Sequence, residues 1–159
     1  MNDTPRWLSP AELESWMSLT YMLSMLPAAL GEQLQSDAGL SFTEYYVLAG
    51  LSDAPERSMR MSQLALFANA ELSRLSHMVS RLEKRGFVTR RPDPTDGRYT
   101  QAILTDAGFA HLATAAPGHV TRVRELVFDA LSPDEVDALH RITDKINRRL
   151  NPEDCGSRP

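Results

Sequence analysis

The segment spanning residues 72–98 reads LSRLSHMVSRLEKRGFVTRRPDPTDGR, and it carries the clearest structural signal in the chain. Its first half has apolar residues at helical spacing, namely Leu72, Leu75, Met78, Val79 and Leu82. Short polar residues and arginines occupy the opposite side, and Gly86 stands where a helix commonly ends. The segment therefore predicts an amphipathic helix with a polar, basic outer face.

A charged hairpin is predicted directly after this helix. Residues 87–91 and 99–104 are rich in β-branched and aromatic residues, which is typical of strands. Between them, residues 92–98 read PDPTDGR, and this composition favours a turn. Upstream, a short helix over residues 62–67 and a tight connection through residues 68–71 precede the amphipathic helix. Two short helices followed by a hairpin predict a helix-turn-helix with a wing.

Capping boxes predict where other helices begin. Ser9, Ser41 and Ser132 each stand three residues before a glutamate. The predicted order is four helices, two strands and two helices. We expect Pro27 to kink the first helix or remove one of its backbone bonds, and Pro117 to interrupt the long helix after Thr105. Asn69 or Glu71 is expected to cap the amphipathic helix.

The predicted fold class is mainly α with a small two-stranded β wing. Residues 41–104 form the predicted winged helix-turn-helix, residues 1–38 and 105–150 a helical dimerisation region, and residues 151–159 a flexible tail. The first helix has more apolar residues than one face requires, which predicts a homodimer. These residues are Trp16, Met17, Leu19, Met22, Leu23, Met25, Leu26 and Leu30.

Charge is distributed unevenly along the chain. The formal net charge is −4. Residues 57–98 nevertheless contain nine basic and four acidic side chains, a local charge of +5. A basic segment within an acidic chain is typical of a module that contacts duplex DNA.

The candidate DNA contacts follow from this geometry. A recognition helix presents short polar and arginine side chains to base edges in the major groove, here Ser73, Arg74, Ser76 and His77. Phosphate contacts are predicted further along the helix, at Arg81, Lys84 and Arg85. Arg98 at the hairpin tip is predicted to enter the minor groove, with Arg90 and Arg91 beside it on the backbone.

Several motifs together resemble the MarR family of bacterial transcriptional regulators. They are Leu64-Ala65, SRLSH at 73–77, RLEKRG at 81–86, RPDPTDGR at 91–98 and LTDAG at 104–108. The resemblance extends over about residues 10–150. It implies a triangular homodimer, held by the N-terminal and last two helices, that reads a pseudo-palindrome and commonly represses transcription. In the wing it implies that Asp96 holds Arg98, and it turns Arg81 toward the major groove. Arginine is usual where this chain has His77, so the family's base preference does not transfer.

Family members often release DNA when a small aromatic or phenolic effector binds between the dimerisation region and the winged module. The residues of this chain that could line such a cleft are Trp16, Met17, Tyr21, Tyr45 and Tyr46. Aromatic and methionine residues at helical spacing are also typical of a core, and that interpretation stays open.

Other functions have weaker support in the sequence. Ser73 and His77 are one helical turn apart, but no third group completes a catalytic set, and we expect neither an enzyme nor a cofactor. The four histidines have no metal-ligand spacing. A winged helix that binds only protein would not need the basic segment. The lone Cys155 precludes an internal disulfide, and without a signal peptide or long apolar run we expect a cytoplasmic protein that does not enter the membrane.

Overall fold

The computed structural model describes residues 5–150, and the predicted order of helices and hairpin strands is confirmed. The elements are α1 (Pro10–Ala38), α2 (Phe42–Asp53), β1 (Ser58–Arg60), α3 (Met61–Phe67), α4 (Leu72–Lys84), β2 (Val88–Pro92), β3 (Thr100–Leu104), α5 (Asp106–Leu126) and α6 (Pro133–Leu150). Single 3₁₀ turns occupy Pro55–Arg57 and Phe128–Ala130.

The predicted capping boxes form in α1 and α2. The Ser9 and Ser41 hydroxyls accept from the third backbone N–H of their helices, and the glutamates accept from the serine N–H in return. Gly39 ends α1 in the left-handed conformation, with φ of 61°. Local sequence therefore determines where these two helices begin and where α1 ends.

The predicted interruption at Pro117 is wrong. Helix α5 runs from Asp106 to Leu126 through Pro117, as α1 runs through Pro27. A proline removes one N–H donor from a helix. Ala113, four residues before Pro117 on the same helix, is exposed.

The wing belongs to a three-stranded antiparallel sheet in the order β1-β3-β2. The predicted hairpin pairs Val88 with Leu104 and Pro92 with Thr100. The sequence pattern predicts two strands, and β1 is a third that it does not reveal; β1 pairs Arg60 with Gln101 on the other edge of β3. A strand of three residues is too short to display an alternating pattern. Its pairing joins the residue before α3 to the wing.

The core lies among α2, α3, α4 and the sheet. Leu75, Val79 and Leu82 of α4 are fully buried in it. The sequence pattern also placed Leu72 on this buried side, but its side chain is 51% exposed. Leu72 is the first residue of α4, one turn before the helix reaches the core.

The chain divides into two compact units, residues up to His119 and residues from Val120 onward. The first contains the core. In the second, no residue of α6 is buried, and Ile142, Ile146 and Leu150 are exposed. Across residues 5–150, no helix has the length and apolarity that a membrane crossing requires.

Candidate nucleic-acid interface

The first two turns of α4 present a polar surface. Ser73, Arg74 and His77 are exposed, and Ser76 is half-buried. None of these four side chains makes a hydrogen bond or ion pair with another residue in 5–150. Glu71 occupies the N-cap position, but its side chain makes no capping bond, so the predicted cap is absent. The outer face of α4 is therefore available to an external ligand.

Arg81, further along α4, is bound to a buried glutamate. Its Nε and Nη2 atoms donate to Glu44 Oε1 at 3.4 and 3.3 Å. The second oxygen of Glu44 accepts from the Ser41 N–H at 2.9 Å, as part of the capping box of α2. One carboxylate thus starts α2 and orients Arg81, whose side chain remains 64% exposed.

Lys84 and Arg85 are neighbours with different surroundings. Lys84 is exposed and, among the described residues, has no polar partner. Arg85, predicted at a phosphate, instead turns to the end of α1, where its Nη1 donates to the Gly39 carbonyl at 2.8 Å. His111 Nε2 is 2.9 Å from the Ala38 carbonyl of the same helix end. Arg85 therefore ties α4 to α1.

At the wing tip, Asp96 and Arg98 are in contact, as the family resemblance implied. Arg98 Nη2 and Nε donate to Asp96 Oδ2 and Oδ1 at 2.6 and 2.9 Å. This bond lowers the pKa of the Asp96 carboxyl. The Arg98 side chain is 84% exposed, so it is oriented without being buried.

Asp93, which was not among the predicted site residues, organises the wing. Its buried carboxylate accepts from Arg60 Nε at 2.6 Å, from the Thr95 N–H at 2.8 Å and from Thr95 Oγ1 at 2.6 Å. The Asp96 N–H and the Gln101 amide donate to it as well. The Arg60 and Thr95 bonds hold the pKa of Asp93 far below its usual range. The available signal was an aspartate two residues before a threonine, a spacing that favours a side-chain-closed turn.

Arg90 and Arg91 also differ. The Arg90 guanidinium donates to Glu83 Oε2 at 2.7 and 3.1 Å and to Ser80 Oγ at 3.0 Å. These bonds lower the pKa of Glu83 and join β2 to α4. Arg91 is exposed and makes no polar side-chain contact with the described residues. Of these two predicted phosphate contacts, Arg91 alone has an uncommitted charge.

A shallow groove separates the start of α4 from the wing. Its volume is about 300 Å³, and its walls include Arg60, Ser62, Leu72, Ser76, Arg90 and Arg98. The groove therefore brings together predicted base-reading, backbone and wing residues.

The five predicted effector residues do not meet in one protomer. Tyr45 packs on His119 with ring centroids 4.3 Å apart, near the end of α1 that approaches α2. Trp16, Met17 and Tyr21 are exposed in the first half of α1. With a rise of ~1.5 Å per residue, Trp16 lies roughly 30 Å along the helix from Ala38, where α1 ends. Within residues 5–150 of one chain, these side chains do not line a common cleft, and the effector site stays a prediction.

His119 nevertheless has an unusual environment. Burial lowers the pKa of its imidazole and raises the pKa of the neighbouring Tyr45 hydroxyl. Its Nδ1 atom is buried, and it lacks a hydrogen-bond partner within residues 5–150. Burial therefore favours the neutral imidazole beside the ring of Tyr45.

Comparison with known proteins agrees with this geometry. The MarR family model matches residues 38–98, which include the helix-turn-helix and the wing tip. The uncharacterized HTH-type transcriptional regulator YkoM of Bacillus subtilis is 30% identical, with 80% of this chain and 83% of the relative covered. The transcriptional repressor MprA of Escherichia coli K12 is 29% identical over 71% of this chain and 64% of its own length.

Solved structures are similar over nearly the full length. Sco3205 from Streptomyces coelicolor, a MarR family transcriptional regulator crystallised in complex with DNA, is 43% identical, with 96% of each chain covered and a TM-score of 0.90. AbsC from the same organism, also a MarR family regulator, is 32% identical, with a TM-score of 0.87 over 94% of this chain and all of its own. The winged helix-turn-helix, its polar recognition face and these relatives lead to one conclusion: the chain belongs to the MarR family of transcriptional regulators.

Proposed function

We propose that two copies of the chain bind one pseudo-palindromic duplex and repress the adjacent transcription unit in the bacterial cytoplasm. The observation that supports this best is the exposed face of α4, which is polar and basic, has no intramolecular partners in its first two turns, and adjoins a wing with an oriented arginine. A helix of this kind fits the major groove, which is ~12 Å wide.

Each side chain has a proposed role. Base edges are contacted by Ser73, Arg74, Ser76 and His77. Arg81 faces the same groove, and its hydrogen bonds to Glu44 orient it. Lys84 and Arg91 contact phosphates, because their charges are not compensated within the protein. Arg98 enters the minor groove in the orientation set by Asp96. Arg90 positions β2 against α4, and its charge is shared with Glu83.

The homodimer is supported by apolar side chains that remain uncovered in one chain. Trp16, Met17 and Leu23 are more than half exposed in the first half of α1. Ile142 and Leu150 of α6 are similarly exposed. A monomer in water would leave this apolar surface hydrated, so residues 1–38 and 105–150 are the proposed dimerisation region. Repression is proposed because relatives such as MprA and the repressor YetL of B. subtilis are named repressors.

The decisive experiment is selection of duplexes from a randomised library by the purified full-length protein, followed by footprinting of the selected sequence. We expect two half-sites of opposite orientation, ~10 bp apart from centre to centre, as two-fold symmetry requires. A protein that enriches no sequence at moderate salt, or enriches a single unrepeated half-site, would contradict the proposal.

Release by a small aromatic effector is a second proposal, restricted to the surroundings of Tyr45 and Tyr46. It is supported by the unpartnered Nδ1 of His119 beside Tyr45. The test is a panel of phenolic carboxylates added to the protein–DNA complex, with Tyr45→Phe and His119→Phe as variants. Dissociation that both variants weaken is expected, and dissociation that neither changes would exclude this location.

A further inference from the structure

We infer that Leu72 is a specificity-determining residue that recognises a thymine through its 5-methyl group. This inference rests on the proposed binding of α4 in the major groove and adds a base to it. Sequence pattern assigned Leu72 to the core, and the structure removes it from there.

Leu72 lies at the end of α4 that faces the wing. It is the first residue of α4, and the N-terminal residues of a recognition helix are the ones that reach base edges. Ser76, one turn later on the same side, is a predicted base contact, and both residues line the groove beside the wing. Leu72 therefore stands within the reading surface.

Leu72 is far more exposed than the other apolar residues of α4. Among the later apolar residues of the helix, Leu75 and Val79 are fully buried and Met78 is nearly so, whereas half of Leu72 is exposed. Its exposed neighbour Ser73 is polar, and Ser62 of α3 is on the wall of the same groove. Leu72 thus adds exposed apolar area beside polar side chains, in a groove whose lining also includes Met61 and Tyr99, and that area is available to a ligand.

The bases differ in the chemical groups that they present in the major groove. Leucine has no donor or acceptor, so it gains nothing from the carbonyl, amino or ring nitrogen groups of a base, and covering them without a bond costs desolvation. Among the four bases, only thymine offers an apolar group on that edge, its 5-methyl. Contact between the two removes apolar area from water and disfavours the other bases at that position.

The experiment uses the full-length dimer and the duplex that it selects. At one position of each half-site the selected sequence is expected to be thymine, and replacement by deoxyuridine removes the methyl group alone. We expect the wild type to bind the deoxyuridine duplex about fourfold more weakly for each half-site changed, the equivalent of one buried methyl group.

A double-mutant cycle assigns the effect to Leu72. Leu72→Ala should bind the thymine duplex more weakly, and its affinity should not fall further with deoxyuridine. Leu72→Met, which preserves an apolar side chain of similar volume, should retain the dependence on the methyl group. Leu66→Ala, a matched change at an exposed leucine of α3 outside the groove lining, should retain it fully. Since Leu72 lies outside the core, thermal unfolding of Leu72→Ala should match the wild type.

The outcomes separate this inference from the proposed function. A wild type that selects no duplex overturns both. A selected duplex with no fixed thymine, or a deoxyuridine effect that persists undiminished in Leu72→Ala, overturns the role of Leu72 alone. A third outcome is that the wild type binds the thymine and deoxyuridine duplexes equally well, and that Leu72→Ala loses the same affinity for both. That result would identify a contact with the sugar-phosphate backbone and would overturn the inference.

Discussion

The basic residues of the winged module differ in how their charge is used. Arg60, Arg81, Arg90 and Arg98 are each bound to a carboxylate of the same module. Arg74, Lys84 and Arg91 are exposed and have no such partner within residues 5–150. The local charge of +5 that the sequence predicts is therefore not a uniform field. Phosphate neutralisation should depend most on the uncompensated residues.

Lys84 and Arg85 provide a direct test, because they are adjacent and have the same charge. Lys84→Gln should weaken binding to all sequences and lower the slope of log affinity against log salt by about one unit. Arg85→Gln should leave that slope nearly unchanged, since its guanidinium binds α1 carbonyls. Titrations at several salt concentrations measure both. An equal change of slope in the two variants would contradict the assignment.

Arg74 is expected to contribute specificity. Arg74→Ala should lose roughly 1 to 3 kcal/mol on the selected duplex and relax the preference at one base position. Lys145→Ala, the same change of charge on α6, is the control. Affinity for selected and single-base-changed duplexes should be compared in parallel. An equal loss on random DNA would refute a base contact.

Asp93 should couple wing stability to pH. Because the folded-state pKa of its carboxyl is depressed, its stabilisation is present above the unfolded value of about 3.9 and is lost as pH falls toward the folded value. Asp93→Asn should be less stable than the wild type at pH 7, and the difference should shrink below about pH 4. Urea unfolding at a series of pH values measures it. A difference independent of pH would show that Arg60 and Thr95 do not act through the charge.

At the scale of elements, the passage from β3 into α5 depends on close backbone contact. A Cβ on Gly108 would lie against the carbonyl of Phe87, at the point where Thr105 Oγ1 accepts from the Gly108 N–H at 3.0 Å. Gly108→Ala should therefore destabilise the fold by about 1 to 3 kcal/mol through overpacking. Gly97→Ala in the wing, where a Cβ meets nothing within 4 Å, is the matched control. Thermal or urea unfolding that fails to separate the two would contradict this packing.

At the scale of the whole molecule, the exposed half of α1 predicts association. Leu23→Glu should convert the dimer to a monomer at micromolar concentration and abolish tight binding to the two-half-site duplex, because a charge would enter the proposed apolar interface. Gln35→Glu, at an exposed polar position of the same helix, should remain dimeric. Light scattering measures both. A dimeric Leu23→Glu would place the interface elsewhere.

Structural features that depend on near neighbours along the chain follow from the amino-acid sequence alone. These local signals are the capping boxes at Ser9 and Ser41, the glycine that ends α1, and the helical spacing of apolar residues in α4. Each of them predicted its element. The pairing of Asp96 with Arg98 spans two residues, and the family resemblance was sufficient for it.

Contacts between residues distant in sequence are specified only in the folded chain. The pairing of β1 with β3, the Arg60 bond to Asp93 and the turn of Arg85 toward α1 join positions more than thirty residues apart. The exposure of Leu72 was also a tertiary result, since helical spacing specifies a face but not how far along the helix the core extends. A charged side chain has many solvated conformations, and only the folded position of its partner selects one of them.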